Sequence, residues 1–200
     1  MATGTDADEF TDTAEAAHTA GAIDIPDVQP IAGAMVILVD DREKRPYTFE
    51  ALRGKVCLPF VVQPAHLKTG DYMVSTKSNH DASSVNFSDQ IVIERKSLQD
   101  LYCTLGQHRD RFEREFQRMS LYGHAELVIE AEWSQIMQPL KYLNHPSELS
   151  PRSVYRTLTA WEQRYRVHVK TYPGRQFAEQ AVFRTLERWV KDEMEGKRGK

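Results

Sequence analysis

Short apolar runs alternate along this chain with stretches of helical spacing, a rhythm that predicts an α/β fold. Met35-Val36-Ile37-Leu38-Val39 reads as a central buried strand, and it ends at Asp40-Asp41-Arg42-Glu43. A short helix and turn is predicted over residues 47–57, stopped at Gly54, then a short strand from Leu58 to Val62. Gly70-Asp71 is a turn signal opening a strand through Met73-Val74. Past a polar loop at residues 77–88, the chain returns through Ile91-Val92-Ile93-Glu94-Arg95-Lys96. Together these two segments read as an antiparallel hairpin, which would bring Asp71, at the start of one strand, beside Glu94 and Lys96 at the end of the next.

The second half is richer in helix. Ser97 is placed to cap a helix running to about Cys103, with Asp100 in its first turn. The next helix spans about His108 to Tyr122, with Phe112, Phe116 and Met119 at i, i+4 and i+7 as its buried stripe. Ala125 to Glu130 is a strand and residues 138–150 a polar loop. Ser150-Pro151 opens a helix with Val154, Leu158, Trp161 and Tyr165 inward. Val167 to Tyr172 is the last strand. Residues 176–193 form the last helix, expected to bury Phe177, Ala181, Val182, Leu186, Trp189 and Val190. The expectation is one α/β domain over residues 34–195, without internal repeats.

Charge changes the picture at the ends. The formal net charge is −3. Residues 1–34 hold seven acids and no Lys or Arg, so the remainder carries 26 bases against 22 acids, a balance of +4. Residues 1–33 read as a disordered acidic tail, residues 196–200 as a basic tail, and the body between as mildly basic, which suits a polyanion. No stretch of eighteen apolar residues predicts a membrane span, and no secretion signal stands at the N-terminus. The two cysteines, Cys57 and Cys103, make no disulfide framework, which points to a reduced, intracellular setting in cytoplasm or nucleus.

Candidate chemistry collects at the predicted strand ends. Alternation in a strand puts Glu94 and Lys96 on one face and Arg95 on the other. Alone, Glu-x-Lys is common and fits a fraying ion pair as well as a site. Together, Asp40, Glu43, Asp71, Glu94 and Lys96 make a set of hard oxygens with one amine, which suits Mg²⁺ or Mn²⁺. Arg111, Arg114 and Arg118 form a basic helical stripe that either follows a phosphate backbone or pairs with Glu113 and Glu115.

Val-Asp-Asp-Arg-Glu at 39–43, Gly-Asp-Tyr at 70–72, Glu-Arg-Lys-Ser-Leu-Gln-Asp at 94–100 and Leu-Val-Ile-Glu at 127–130 resemble the nuclease domain of XPF-type structure-specific endonucleases, of the PD-(D/E)xK superfamily. The resemblance covers about residues 35–195. It implies a restriction-endonuclease-like mixed central sheet flanked by helices. It also implies Mg²⁺- or Mn²⁺-dependent endonucleolytic cleavage of DNA at branches, flaps or junctions, in repair or recombination. Asp71 and Glu94 would ligate the metal, Asp40 or Glu43 would complete or position the site, and Lys96 would orient water and stabilise developing charge. Arg42 and Arg95 would back the acids, and Asp100 would anchor its helix through Arg42 or Arg111. The basic helix, with Arg109, Arg111, Arg114 and Arg118, would hold the DNA backbone. This chain has no room for the helix–hairpin–helix or helicase domain that such repair enzymes usually carry. Substrate specificity would therefore come from self-association or a partner protein. The alternatives are a non-catalytic DNA-binding scaffold of this fold and a nuclease without branch preference.

Overall fold

The structure, a computed structural model, describes residues 35–76 and 90–197. The expected acidic tail, the 77–88 loop and the last three residues of the basic end lie outside the described residues. Six strands form one mixed sheet in the order β2-β1-β3-β4-β5-β6. They are β1 (Met35–Asp40), β2 (Phe60–Ala65), β3 (Tyr72–Thr76), β4 (Ile91–Lys96), β5 (His124–Ile129) and β6 (His168–Thr171). β3 runs antiparallel to both β1 and β4, and the other neighbours are parallel. The helices are α1 (Leu98–Gln107), α2 (Arg109–Met119), α3 (Trp133–Ile136), α4 (Pro139–Tyr142), α5 (Pro151–Tyr165) and α6 (Arg175–Met194).

The sheet has a core on each side. Val36, Leu38, Met73 and Val92 pack toward α1, α2 and α5, with Phe112, Phe116, Leu158 and Trp161. Met35, Ile37, Val39, Tyr72, Val74, Ile91 and Ile93 pack the other way, onto α6 through Val182, Phe183 and Leu186. Two-residue alternation explains the split, because neighbours along one strand enter different layers. It also sorts the polar strand ends. Asp40, Asp71, Glu94 and Lys96 share parity with Leu38, Met73 and Val92, so they leave the sheet on the α1–α2 side. Arg95 leaves on the α6 side.

Three expectations change. β2 starts two residues later than expected and continues to Ala65, carrying Pro64; at a sheet edge the missing N–H costs nothing. The stretch read as a polar loop contains α4, preceded by α3; four-residue helices are too short for a periodic signal. Phe177 is 56% exposed, and Phe183 takes the expected buried place on α6. α6 begins at Arg175, so its inward stripe runs Ala178, Val182, Phe183 and Leu186, and Phe177 falls outside it.

Candidate active site

A cleft of about 380 Å³ opens where β1, β3 and β4 meet α1 and α2. Its walls include Asp40, Glu43, Asp71, Glu94, Lys96, Arg111 and Arg118. Each arrives for a local reason. Asp40 closes β1 and is 93% removed from solvent, because the apolar run before it is central in the sheet. Asp71 follows Gly70, whose φ of +69° makes the turn into β3. The Asp71 N–H donates to Ile93 O at 2.9 Å, and the Arg95 N–H donates to the Asp71 carboxylate at 2.7 Å, so β4 grips this acid by backbone alone. Glu94 and Lys96 project together from the end of β4, and the Lys96 ammonium donates to Glu94.

The electrostatics follow from enclosure. Burial, then the charge of Glu94, pushes the Asp71 carboxyl well above the ordinary carboxylate range. Burial also raises Glu94, against the pull of Lys96. Burial alone would lower Lys96, but Glu94 and Asp71 outweigh it and keep the amine charged. Asp40 differs. Burial would raise it, yet Arg42 bonds both its oxygens, at 3.0 and 2.6 Å, and holds it below the usual range. Arg42 is itself tied to Leu67 O at 2.5 Å.

Arg95, on the other face, is part of a separate buried network. Its guanidinium spans both oxygens of Glu130 at 2.8 Å and lies 3.4 Å from Glu43. Tyr47 and Arg175 also donate to Glu130, at 2.9 and 3.1 Å. Glu43 therefore joins the cleft to this network: its N–H donates to Asp40 O at 3.0 Å, and its charge acts on both Asp71 and Glu94.

The remaining candidates divide. Arg111 and Arg118 line the cleft, whereas Arg114 does not. Between Arg111 and Phe112 the helix presents Glu115, and Arg114 points away from Phe112 by helical geometry. Arg109 is committed elsewhere: it donates to Thr157 Oγ1 at 2.7 Å and lies 5.1 Å over the Trp161 ring, joining α2 to α5. Asp100 bonds neither Arg42 nor Arg111. It accepts from Ser97 Oγ at 2.6 Å while its own N–H donates to that hydroxyl, a local cap. Charge pattern does not single out Glu115, since an acid among bases on a helix reads as a solvated pair; in the fold it lines the cleft. Asp41 and His66, both exposed, stand with Asp40 at the ends of β1 and β2, with ligand atoms within 4.8 Å of one another.

The donor set fits a hard divalent cation. Burial holds protons on both carboxyls, Glu94 adds to this at Asp71, Glu115 and Glu43 add to it at Glu94, and a cation at the site would relieve that repulsion. Asp71 and Glu94 would hold it, with Asp40 if Arg42 gives up part of its grip.

A profile of the ERCC4 domain matches residues 39–181. No curated protein sequence matches the chain. Among solved structures it is similar to XPF from Aeropyrum pernix, with a TM-score of 0.55 and 21% identity over 82% of this chain and 68% of that one. It is also similar to XPF from Aeropyrum pernix in complex with DNA, with a TM-score of 0.52 and 21% identity over 79% of this chain and 66% of the other. Likeness at this identity establishes a shared fold. Among the described residues, no helix is long and apolar enough to cross a membrane.

Proposed function

Because this chain belongs to the ERCC4 domain family, a family of nucleases, we propose that it is a Mg²⁺- or Mn²⁺-dependent endonuclease that hydrolyses phosphodiester bonds of DNA. The observation that carries the reading is the convergence of Asp71, Glu94 and Lys96 in one cleft with Arg111 and Arg118 on its wall. The bound metal would supply a water of lowered pKa and neutralise charge on the phosphate. Asp71 and Glu94 would hold that ion, and Asp40 would complete its ligands on loosening its bonds to Arg42. Lys96 is charged and has no lone pair, so it acts as a donor rather than a base. Its N–H groups orient the attacking water or a phosphate oxygen and stabilise the charge that develops in the transition state. Arg111 and Arg118 engage backbone phosphates and set the register of the strand to be cut. The solved likeness in complex with DNA supports the polyanion reading.

Preference for branched, flap or junction DNA rests on the family resemblance, and self-association or a partner protein would sharpen it. The decisive experiment gives the purified protein Mn²⁺ with flap, fork, junction, linear duplex and single-stranded substrates. Cleavage of branched substrates in wild type, lost in Asp71→Ala, is the expected result. Equal cutting of linear duplex would make it a nuclease without branch preference. No cutting beyond the Asp71→Ala background, with no Mn²⁺ binding at millimolar concentration, would leave a non-catalytic scaffold.

A further inference from the structure

We propose that Glu115 is a positioning residue for the cleavage site, fixing through the Gly70 N–H where the Asp71 carboxylate stands. This rests on the nuclease reading above and adds a residue to it. Glu115 Oε1 accepts from Gly70 N at 3.1 Å, reaching from α2 to the turn that immediately precedes Asp71. Its other oxygen is engaged by Arg118 one turn along the helix. The side chain is only 19% exposed, so the contact is shielded from competing water.

The Gly-Asp turn is held by β1 and β4 on the sheet side, the Asp40 N–H donating to Asp71 O at 2.9 Å, and by this bond on the helix side. Gly70 sits at φ +69°, and a Cβ there would fall 2.3 Å from Val92 Cγ2, so the turn lies flat against β4. β4 holds Asp71 through Ile93 O and the Arg95 N–H. Those two contacts fix Asp71 against the strand. Glu115 supplies the hold from the helix side, one residue earlier, and closes the turn between sheet and α2. The same helix carries Arg111 and Arg118, so the arm that would meet phosphate also carries the group that seats the acid.

Groups that orient metal ligands change metal affinity or activity by about 10–100-fold when removed. The test compares Glu115→Ala, which deletes the acceptor, with Glu115→Gln, which keeps an acceptor oxygen and deletes the charge. Three readouts are needed: Mn²⁺ affinity by calorimetry, cleavage rate against substrate concentration, and exchange of the Gly70 amide with deuterium. Glu115→Ala is expected to weaken Mn²⁺ binding at least about tenfold, lower kcat more than it raises KM, and lose Gly70 protection. Glu115→Gln is expected to stay within about threefold of wild type in metal affinity and keep the protection. Unchanged melting and unchanged amide exchange in the core strands identify a folded Glu115→Ala; if that variant does not fold, the wild-type Gly70 amide decides, and an amide that exchanges as freely as an unbonded one overturns the proposal. A Glu115→Gln as impaired as the alanine variant would mean that charge, not the bond to Gly70, matters, and would overturn the proposal. So would a Glu115→Ala that binds Mn²⁺ like wild type. A wild type that neither binds Mn²⁺ nor cuts DNA sinks the nuclease reading itself, which is a different result from an active wild type indifferent to Glu115.

Discussion

Asp71 is where function and stability pull apart. Its folded carboxyl keeps a proton to higher pH than the unfolded one, because it is buried and faces Glu94. The native state therefore binds more protons, and metal-free stability falls as pH climbs from the ordinary carboxylate range toward the raised value. Asp71→Asn can still accept from the Arg95 N–H and carries no such cost. It is expected to melt above wild type at about pH 8 without metal, with the gap closing at about pH 4, while cleavage is lost. A melting temperature below wild type at both values would contradict the burial account. The same raised acids would make metal binding a proton-releasing event. Mn²⁺ affinity should rise with pH above the ordinary carboxylate range and level off once Asp71 and Glu94 are ionised, which calorimetry in buffers of different ionisation heat would detect. Glu130 shows the opposite sign: burial would raise it, but the Arg95 hydrogen bonds outweigh that and hold it low. Removing it leaves the Arg95 guanidinium buried without its main partner, so Glu130→Ala should lower stability by about 3–5 kcal/mol in a denaturant melt at neutral pH.

The elements matter through how they meet. Parity along β1, β3 and β4 delivers the acids to one face, and α1 and α2 roof the cleft they form. Gly70 is the tightest joint in this arrangement. An alanine there meets Val92 and must adopt a left-handed backbone, which together cost about 2–4 kcal/mol. Gly70→Ala should therefore lower the unfolding free energy from a denaturant melt by that much, and adding Val92→Ala should recover part of the steric share but none of the backbone share. The helix-spacing rule read α2 well for its core, since Phe112, Phe116 and Met119 are buried as spaced. It read the basic face less well, because four arginines within ten residues cannot all face one cleft. Arg109 went to Trp161, Arg114 turned away, and Glu115 took a position that charge pattern alone would assign to solvent.

At the scale of the molecule, charge is partitioned along the chain. The seven acids of residues 1–34 offset a body of net +4. Removing those residues should tighten DNA binding at low salt, and the difference should fade as salt screens it. Binding itself should carry a salt slope set by the number of phosphates engaged, about 0.9 each on duplex DNA. An Arg111→Ala, Arg118→Ala double variant should lower that slope by about two, whereas Arg109→Ala should leave it unchanged and cost stability instead. A slope untouched by the double variant would remove those two residues from the DNA surface.

The linear chain settled what depends on neighbours a few residues apart. Five-residue apolar runs, the Ser97 and Ser150 caps and the period of α5 are local, and each formed where its pattern lay. Motif spacing likewise placed Asp71, Glu94 and Lys96 on two arms of one hairpin, because a turn and a two-residue repeat are short-range rules. What only packing decided is who meets whom across distance. Arg42 with Asp40 and Leu67 O, the Arg95 guanidinium with Glu130 just beyond the next strand, Asp100 with its own cap, and Glu115 on Gly70 all rest on where layers come to lie. A side chain's sequence position fixes its direction from its own element, but its partner belongs to another element, and only the closed sheet and its helices bring the two within reach.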